Sequence, residues 1–252
     1  MAASLNDNQK KLKRNIIYLV IFLGAVIVVA FSAVGNTDLV DKITKEDGIF
    51  ENLSALFYLF GFLICGFLIF KRGRQAFLVI WCILCFFFLG EETSWFQRIF
   101  DYSVPMVENH NEQDEFNLHN LDLLYEEPMV TEDGEFQFSL SALLKPQNLM
   151  KLGFFSYFLM IPLLHLVPKF ERFCSVLGYP KPPLAFLLTI WPPLLLSYIF
   201  TFLYNQSNHG IVETREMLYA LFILLYIVAV FLPADHKYNS NTQKSYAAKE
   251  VN

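Results

Sequence analysis

Long blocks without charge alternate with short charged ones along this chain. Six blocks are long enough to form extended apolar helices: Ile16–Val34, Asn52–Phe70, Ala76–Trp95, Leu149–Val167, Pro182–Tyr204 and about Arg215–Ala234. About 20 helical residues cross the roughly 30 Å hydrocarbon core of a bilayer. Lipid offers no partner to open backbone groups, so membrane segments are helices or closed barrels. The period-two alternation of barrel strands is missing from these blocks. The pattern therefore predicts an all-α integral membrane bundle of about six transmembrane helices.

The connections between blocks are unequal. Lys71–Gln75 is a tight turn, which makes the second and third spans an antiparallel hairpin. The segment 96–148 between the third and fourth spans is far longer than a simple turn, and long loops in compact proteins are commonly functional. Within it, Phe116–Tyr125 has enough apolar residues for a short interfacial helix, and Glu135–Leu140 alternates as a short strand or surface-lying segment would. Trp191-Pro192-Pro193 falls near the middle of the fifth span, where proline removes a backbone donor and a kink is expected. The domain organisation that follows is a cytoplasmic N-terminus (1–15), a membrane domain (16–234) and a cytoplasmic tail (235–252) that reads as disordered.

Composition agrees with the pattern: 55% of residues are hydrophobic and 17% charged, against about a quarter charged in soluble domains. Charge also orients the bundle, because Lys and Arg collect on the cytoplasmic side. Thirteen of the 19 basic residues lie in the N-terminus, the 71–75 turn, the 168–181 loop and the tail, and 20 of the 24 acidic residues lie on the opposite flanks. Both termini are thus expected inside. Ala30-Phe-Ser32 has the small-x-small form of a signal-peptide cleavage site. The run Ile16–Val34 is longer than a signal-peptide core, however, so the first span is expected to be retained. Cys65, Cys82, Cys85 and Cys174 avoid the acidic loops, so no exported disulfide framework is implied. Cys82-x-x-Cys85 has redox spacing but sits in an apolar run, as packing residues do.

Counting depth singles out a few polar residues. Ala76–Gly90 covers only about 22 Å at 1.5 Å per residue, so Glu91 and Glu92 fall at the outer hydrocarbon boundary. The same count places Glu51 at the outer edge of span 2 and Glu216 in the first turn of span 6. Asp47 and Glu213 lie one turn further out on the same helical faces. Three helices thus present carboxylates at one level, where charge is costly and turns towards a partner or cavity. Candidate partners are Arg98, on a shared face with Glu91 and Trp95, together with Arg215, His110, Asn117, His119 and His209. His165 lies deep near the inner face, as a packed, hydrogen-bonded histidine would.

Asp47, Glu51, Glu213 and Glu216 have a second reading, as acidic end charges that complement the dipoles of helices starting on the outer face. That reading fails for Glu91 and Glu92, which end a helix where negative charge opposes the dipole. Paired acids at such a boundary suit proton transfer, or ligation of a divalent cation.

Gly90-Glu-Glu-Thr-Ser-Trp-Phe-Gln-Arg-Ile-Phe100 resembles the GEE-x-S-W-x-Q-R signature of a group of uncharacterised bacterial multi-pass proteins. Glu46–Glu51 and Asn117-Leu-His-Asn120 are similar to further elements of that group. The resemblance spans about 46–220 and implies a bacterial inner-membrane protein without assigning an activity. CAAX-type glutamic intramembrane proteases are a more distant comparison. Arg98 follows Glu92 by six residues rather than four, and Phe116-x-x-His119 is one residue short and lies in a loop, both departures from that pattern.

No phosphate-cradling loop, HExxH or Gly-x-Ser-x-Gly elbow occurs, and there is no basic surface for nucleic acid. Three functions fit the remaining pattern. One is an interfacial enzyme acting on a lipid-linked or membrane-protein substrate, with Glu91, Glu92, His119 and Arg98 as its catalytic group. In that enzyme Glu51, Glu91, Glu92, Glu216 and His119 are the candidate ligands for a divalent metal ion. The others are an ion- or proton-coupled transporter and a non-catalytic envelope assembly protein that docks a partner on the 96–148 loop.

Overall fold

Helices follow where apolar runs are uninterrupted, and they stop where proline, glycine or left-handed backbone intervenes. The structure is a computed structural model that describes residues 2–35, 37–45, 48–111, 116–118, 146–203 and 209–232. Asp47, His119, most of the expected 116–125 helix, the 135–140 segment and the tail after Asp235 lie outside the described residues.

Every regular element among the described residues is helical. In chain order these are α1 (Ala2–Val34), α2 (Thr37–Thr44), α3 (Ile49–Arg72), α4 (Ala76–Glu92), α5 (Gln97–Phe100) and α6 (Pro105–Glu108). After the loop come α7 (Pro146–Phe155), a π-helical turn (Ser156–Met160), α8 (Ile161–Leu164), α9 (Pro168–Leu177), α10 (Leu184–Leu203) and α11 (His209–Phe231). The helices α1, α3, α10 and α11 are long and apolar enough to cross a membrane. The apolar stretch Asn148–Leu164 and the 17-residue α4 are shorter.

Helix α11 is the centre of the bundle: 61% of its apolar window is buried, against 22–33% for the other three long helices. It packs on α3, α1 and α10, and contributes Tyr219, Phe222 and Tyr226 to the fully buried core. The α3–α4 hairpin forms as expected. Gly73 adopts φ 84° at the turn, a left-handed conformation in which a side chain would be strained, and its N–H donates to Ile69 O. The two helices approach closely at Gly61, where an added Cβ would stand 2.8 Å from Cys85 Sγ. All four cysteines are free thiols, and Cys65 and Cys85 are packed in the core. Arg72 closes the far end of α11 by donating to the carbonyls of Phe231 and Leu232.

The fourth apolar block, expected as one helix over 149–167, is helical over Asn148–Leu164 and contains a π turn. Pro162 has no N–H to give Phe158 O, the carbonyl four residues back. The chain widens into a π turn at that point, and Trp191 Nε1 supplies the missing donor at 3.1 Å. Helix α10, in contrast, continues through Pro192 and Pro193. The 168–181 connection contains helix α9, ended by Gly178 at φ 69°.

Large apolar side chains stay exposed along the flanks of the long helices, among them Val20, Ile27, Phe67, Ile83, Leu188 and Phe202. That much exposed apolar surface marks contact with lipid or another protein.

Candidate carboxylate site

The hairpin brings Glu51, in the first turn of α3, to the same end of the bundle as Glu92, the last residue of α4. Helix α11 adds Glu213 and Glu216. Glu92 lies within electrostatic reach of Glu216, Glu51, Glu213 and Glu91, so the carboxylates that the sequence placed at one level do form a group. Glu92 is half-buried among these carboxylates, and the partly exposed ground they share is termed the Glu92 recess.

One expectation for this group needs correction. Helix α11 begins at His209 rather than near Arg215, and its first turn contains no acidic residue. Glu213 and Glu216 therefore lie in the second turn, where the field of the helix terminus has largely fallen away. End-charge stabilisation remains available to Glu51, but it does not account for Glu216.

Two residues that sequence reasoning passed over complete the recess. Tyr58, two turns below Glu51 on the same face of α3, is 1% exposed and feels the charges of Glu92 and Glu216. Its hydroxyl donates to Met150 Sδ at 3.7 Å. Lys151 of α7 is half-buried and within electrostatic reach of Glu216 and Arg215. The available signals were the i, i+7 spacing of Glu51 and Tyr58 and a lone lysine inside an apolar block.

Arg215, expected as a partner for the carboxylates, faces α10. Its Nε donates to Ser197 Oγ at 3.1 Å and its Nη2 to Thr201 Oγ1 at 2.6 Å, with the guanidinium 4.0 Å from the Tyr198 ring centroid. Two hydroxyls and an aromatic face thus satisfy a buried cation. On the next turn of the same face Tyr219 and Tyr198 share a 2.6 Å hydroxyl contact.

Glu91 has a different environment from Glu92. It is 6% exposed. Its Oε1 accepts from Trp95 Nε1 at 2.7 Å and its Oε2 from Leu118 N at 2.9 Å. The expected shared face of Glu91, Trp95 and Arg98 rested on α4 continuing to residue 95. Instead α4 ends at Glu92, and Ser94, Trp95 and Phe96 adopt φ of 47°, 53° and 68°. This left-handed turn folds the indole back over Gly90, where a Cβ would stand 2.9 Å from the ring. Trp95 reaches Glu91 by reversal of the chain. The direction of the Arg98 side chain lies outside the described structure.

The rest of the GEETSWFQR segment anchors the loop. Gln97 Oε1 accepts from Phe116 N at 2.7 Å, and Asn117 Nδ2 donates to Ser94 Oγ at 3.4 Å. Asn111 Nδ2 donates to Asn117 O at 3.0 Å and to Asn117 Oδ1 at 2.9 Å, while Tyr102 OH donates to Trp95 O at 2.8 Å. Residues 116–118 are therefore held against the end of α4, immediately before His119. Among the remaining histidines, His110 is exposed with Nδ1 3.1 Å from Met106 O. His165 Nδ1 lies 3.0 Å from Ile161 O and its ring packs on Tyr179, as a structural histidine would. His209 opens α11.

Among the described residues, no three His, Cys, Asp or Glu side chains converge as a metal site. Of the proposed ligands, Glu91 is committed to two N–H donors, and Glu51, Glu92 and Glu216 share the recess.

Beside the recess, an apolar, partly enclosed cleft of about 620 Å³ lies between α4 and α7. Phe88 and Met150 line it and both touch Tyr58, whose ring lies 5.2 Å from that of Phe88. No family model, curated protein or solved structure matches the chain.

Proposed function

We propose that this protein crosses a bacterial inner membrane six times, with both termini inside, and is an acid/base enzyme that acts on a membrane-associated substrate at the outer face. In this reading α4 and the α7–α8 segment with its π turn complete the set of spans begun by the four long helices. The sequence segregation of Lys and Arg supports the orientation.

The observation that carries the enzymatic reading is the recess at Glu92. There a half-buried carboxylate stands within electrostatic reach of Glu51, Glu213 and Glu216, with Tyr58 in reach of it and Lys151 in reach of Glu216. That is the setting of a general acid or base. Glu92 is the proton-transfer group in this proposal. Lys151 offsets negative charge on the substrate or the cluster, and Glu91 positions the chain that delivers His119. Arg98 and His119 enter as loop residues acting on the polar part of the substrate. A divalent metal ion is the less favoured arrangement, because Glu91 is occupied by Trp95 and Leu118.

The test is complementation of cells lacking the gene, with their membrane lipids and lipid-linked intermediates compared by mass spectrometry. Wild-type protein should clear a species that accumulates in its absence, and Glu92→Gln at equal membrane abundance should not. Full clearance by Glu92→Gln would overturn the reading. Loss of function on shortening the 119–145 loop, with Glu92→Gln unaffected, would point instead to a docking protein.

A further inference from the structure

We propose that the cleft between α4 and α7 holds one acyl chain of a membrane lipid or lipid-linked substrate, with the polar end directed towards Glu92. The inference rests on the reading of the Glu92 recess as a site for membrane-borne amphiphiles, and it names the part of the molecule that the protein grips.

Length is the first argument. The lining residues on α4 run from Phe77 to Phe88, a rise of about 16 Å at 1.5 Å per residue. One leaflet contributes about half of the roughly 30 Å hydrocarbon core, so the cleft matches the reach of a single lipid tail. Volume is the second. The cleft offers about 620 Å³ of space lined almost wholly by apolar side chains, which suits a hydrocarbon chain, whereas an extended peptide would find no partners for its backbone groups along such a wall.

The cleft is only partly enclosed, and the two helices that form it, α4 and α7, carry the exposed Ile80, Ile83 and Leu152. A chain in contact with those surfaces can enter sideways without passing through water. Towards the carboxylates, the cleft is lined by Leu118 and Met150. Leu118 is held there by Glu91, and Met150 by Tyr58. Glu91, which the recess does not use, thus holds one wall residue of the cleft in place.

Gly153 supplies the means of testing this. It lines the cleft, and a Cβ built on it meets nothing within 4 Å. A bulky residue there should occupy the space of the ligand without displacing protein, and the loss of a mid-helix glycine favours folding.

The experiment uses the full chain in vesicles of phosphatidylethanolamine and phosphatidylglycerol, doped with a phospholipid bearing a diazirine on its acyl chain. Labelled residues are mapped by mass spectrometry after irradiation. In the wild type, Trp81 and Tyr157, which face the cleft, should be labelled in addition to Ile83, which faces outward. Gly153→Phe should remove labelling from Trp81 and Tyr157 and leave Ile83 labelled, and Gly153→Ala should change neither. If Gly153→Phe does not insert, Gly153→Leu replaces it with the same expectation. Labelling of Trp81 and Tyr157 no greater than that of the fully buried Phe222 would overturn the proposal. The chain's own 119–145 segment filling the cleft would give that result. Labelling unchanged in Gly153→Phe would overturn it equally. Glu92→Gln should retain cleft labelling, so failure of the catalytic reading and failure of the cleft appear in different measurements.

Discussion

Glu91→Gln isolates what a single carboxylate oxygen does at the end of α4. Both oxygens accept N–H bonds, from the Trp95 indole at 2.7 Å and from the Leu118 backbone at 2.9 Å. The amide of glutamine keeps one acceptor, and in either orientation its NH₂ group meets the other donor. The indole bond is the shorter, so Leu118 N is the donor expected to lose its partner. A hydrogen bond to a charged acceptor contributes about 1.5–3 kcal/mol. The lower part of that range applies, because Leu118 is partly accessible to water. A loss of about 2 kcal/mol shifts the local opening equilibrium roughly 30-fold. Hydrogen–deuterium exchange followed by mass spectrometry, with overlapping peptides that resolve the Leu118 amide, reads this directly. Exchange at Leu118 should quicken about 30-fold in Glu91→Gln while the amides of α3 and α11 keep their rates. Glu92→Gln should leave Leu118 slow, since no bond to this amide comes from Glu92. Equal Leu118 exchange in wild type and Glu91→Gln would refute the claim that this carboxylate ties the loop to the helix.

Two further substitutions probe the bundle that carries the site. Gly61→Ala places a Cβ 2.8 Å from Cys85 Sγ and should cost about 1–3 kcal/mol by overpacking the α3–α4 contact. Adding Cys85→Ala removes the obstructing sulfur, so the double variant should melt above Gly61→Ala alone, and purely additive losses would contradict the close approach. Arg215→Lys keeps the charge but lacks the planar fork whose Nε and Nη2 reach Ser197 and Thr201 separately, and it has no flat face to lie over Tyr198. It should lose about 2–4 kcal/mol, seen as a lower midpoint in thermal unfolding in detergent, and an unchanged midpoint would refute the role given to this guanidinium.

Much of the helical layout was legible because apolar length is a one-dimensional property. The α3–α4 hairpin and the gathering of Glu51, Glu92 and Glu216 follow from counting 1.5 Å per residue along each run. Where counting failed, a local backbone event intervened. Ser94, Trp95 and Phe96 take left-handed conformations that nothing in their side chains demands. The contact between Glu91 and Trp95 was therefore expected for a reason that does not operate. Pro162 was visible, but the π turn it accompanies depends on Trp191 being near enough to serve Phe158 O, a tertiary fact. Glu91 and Glu92 are identical neighbours in sequence. Their different environments arise because successive residues on a helix point about 100° apart, one towards the returning loop and one towards α3 and α11. Lys151 and Tyr58 were missed because each is ordinary within its own block and becomes informative only when α7 and α3 are brought together.

The central position of α11 has a consequence for how the protein is made. Of the described helices, α11 leaves the ribosome last, yet α1, α3 and α10 all pack on it. The earlier spans must then enter the bilayer with their inward faces, including Ser54 and Tyr58 on α3, covered by lipid or by one another. The α3–α4 and α1–α10 pairs can form earlier, but lateral assembly is completed only when α11 arrives and displaces the provisional contacts on the remaining faces. Biogenesis is therefore divided into an insertion stage set by hydrophobicity and an assembly stage set by one late helix. The Glu92 recess, which needs Glu213 and Glu216 from that helix, does not exist until the second stage is complete.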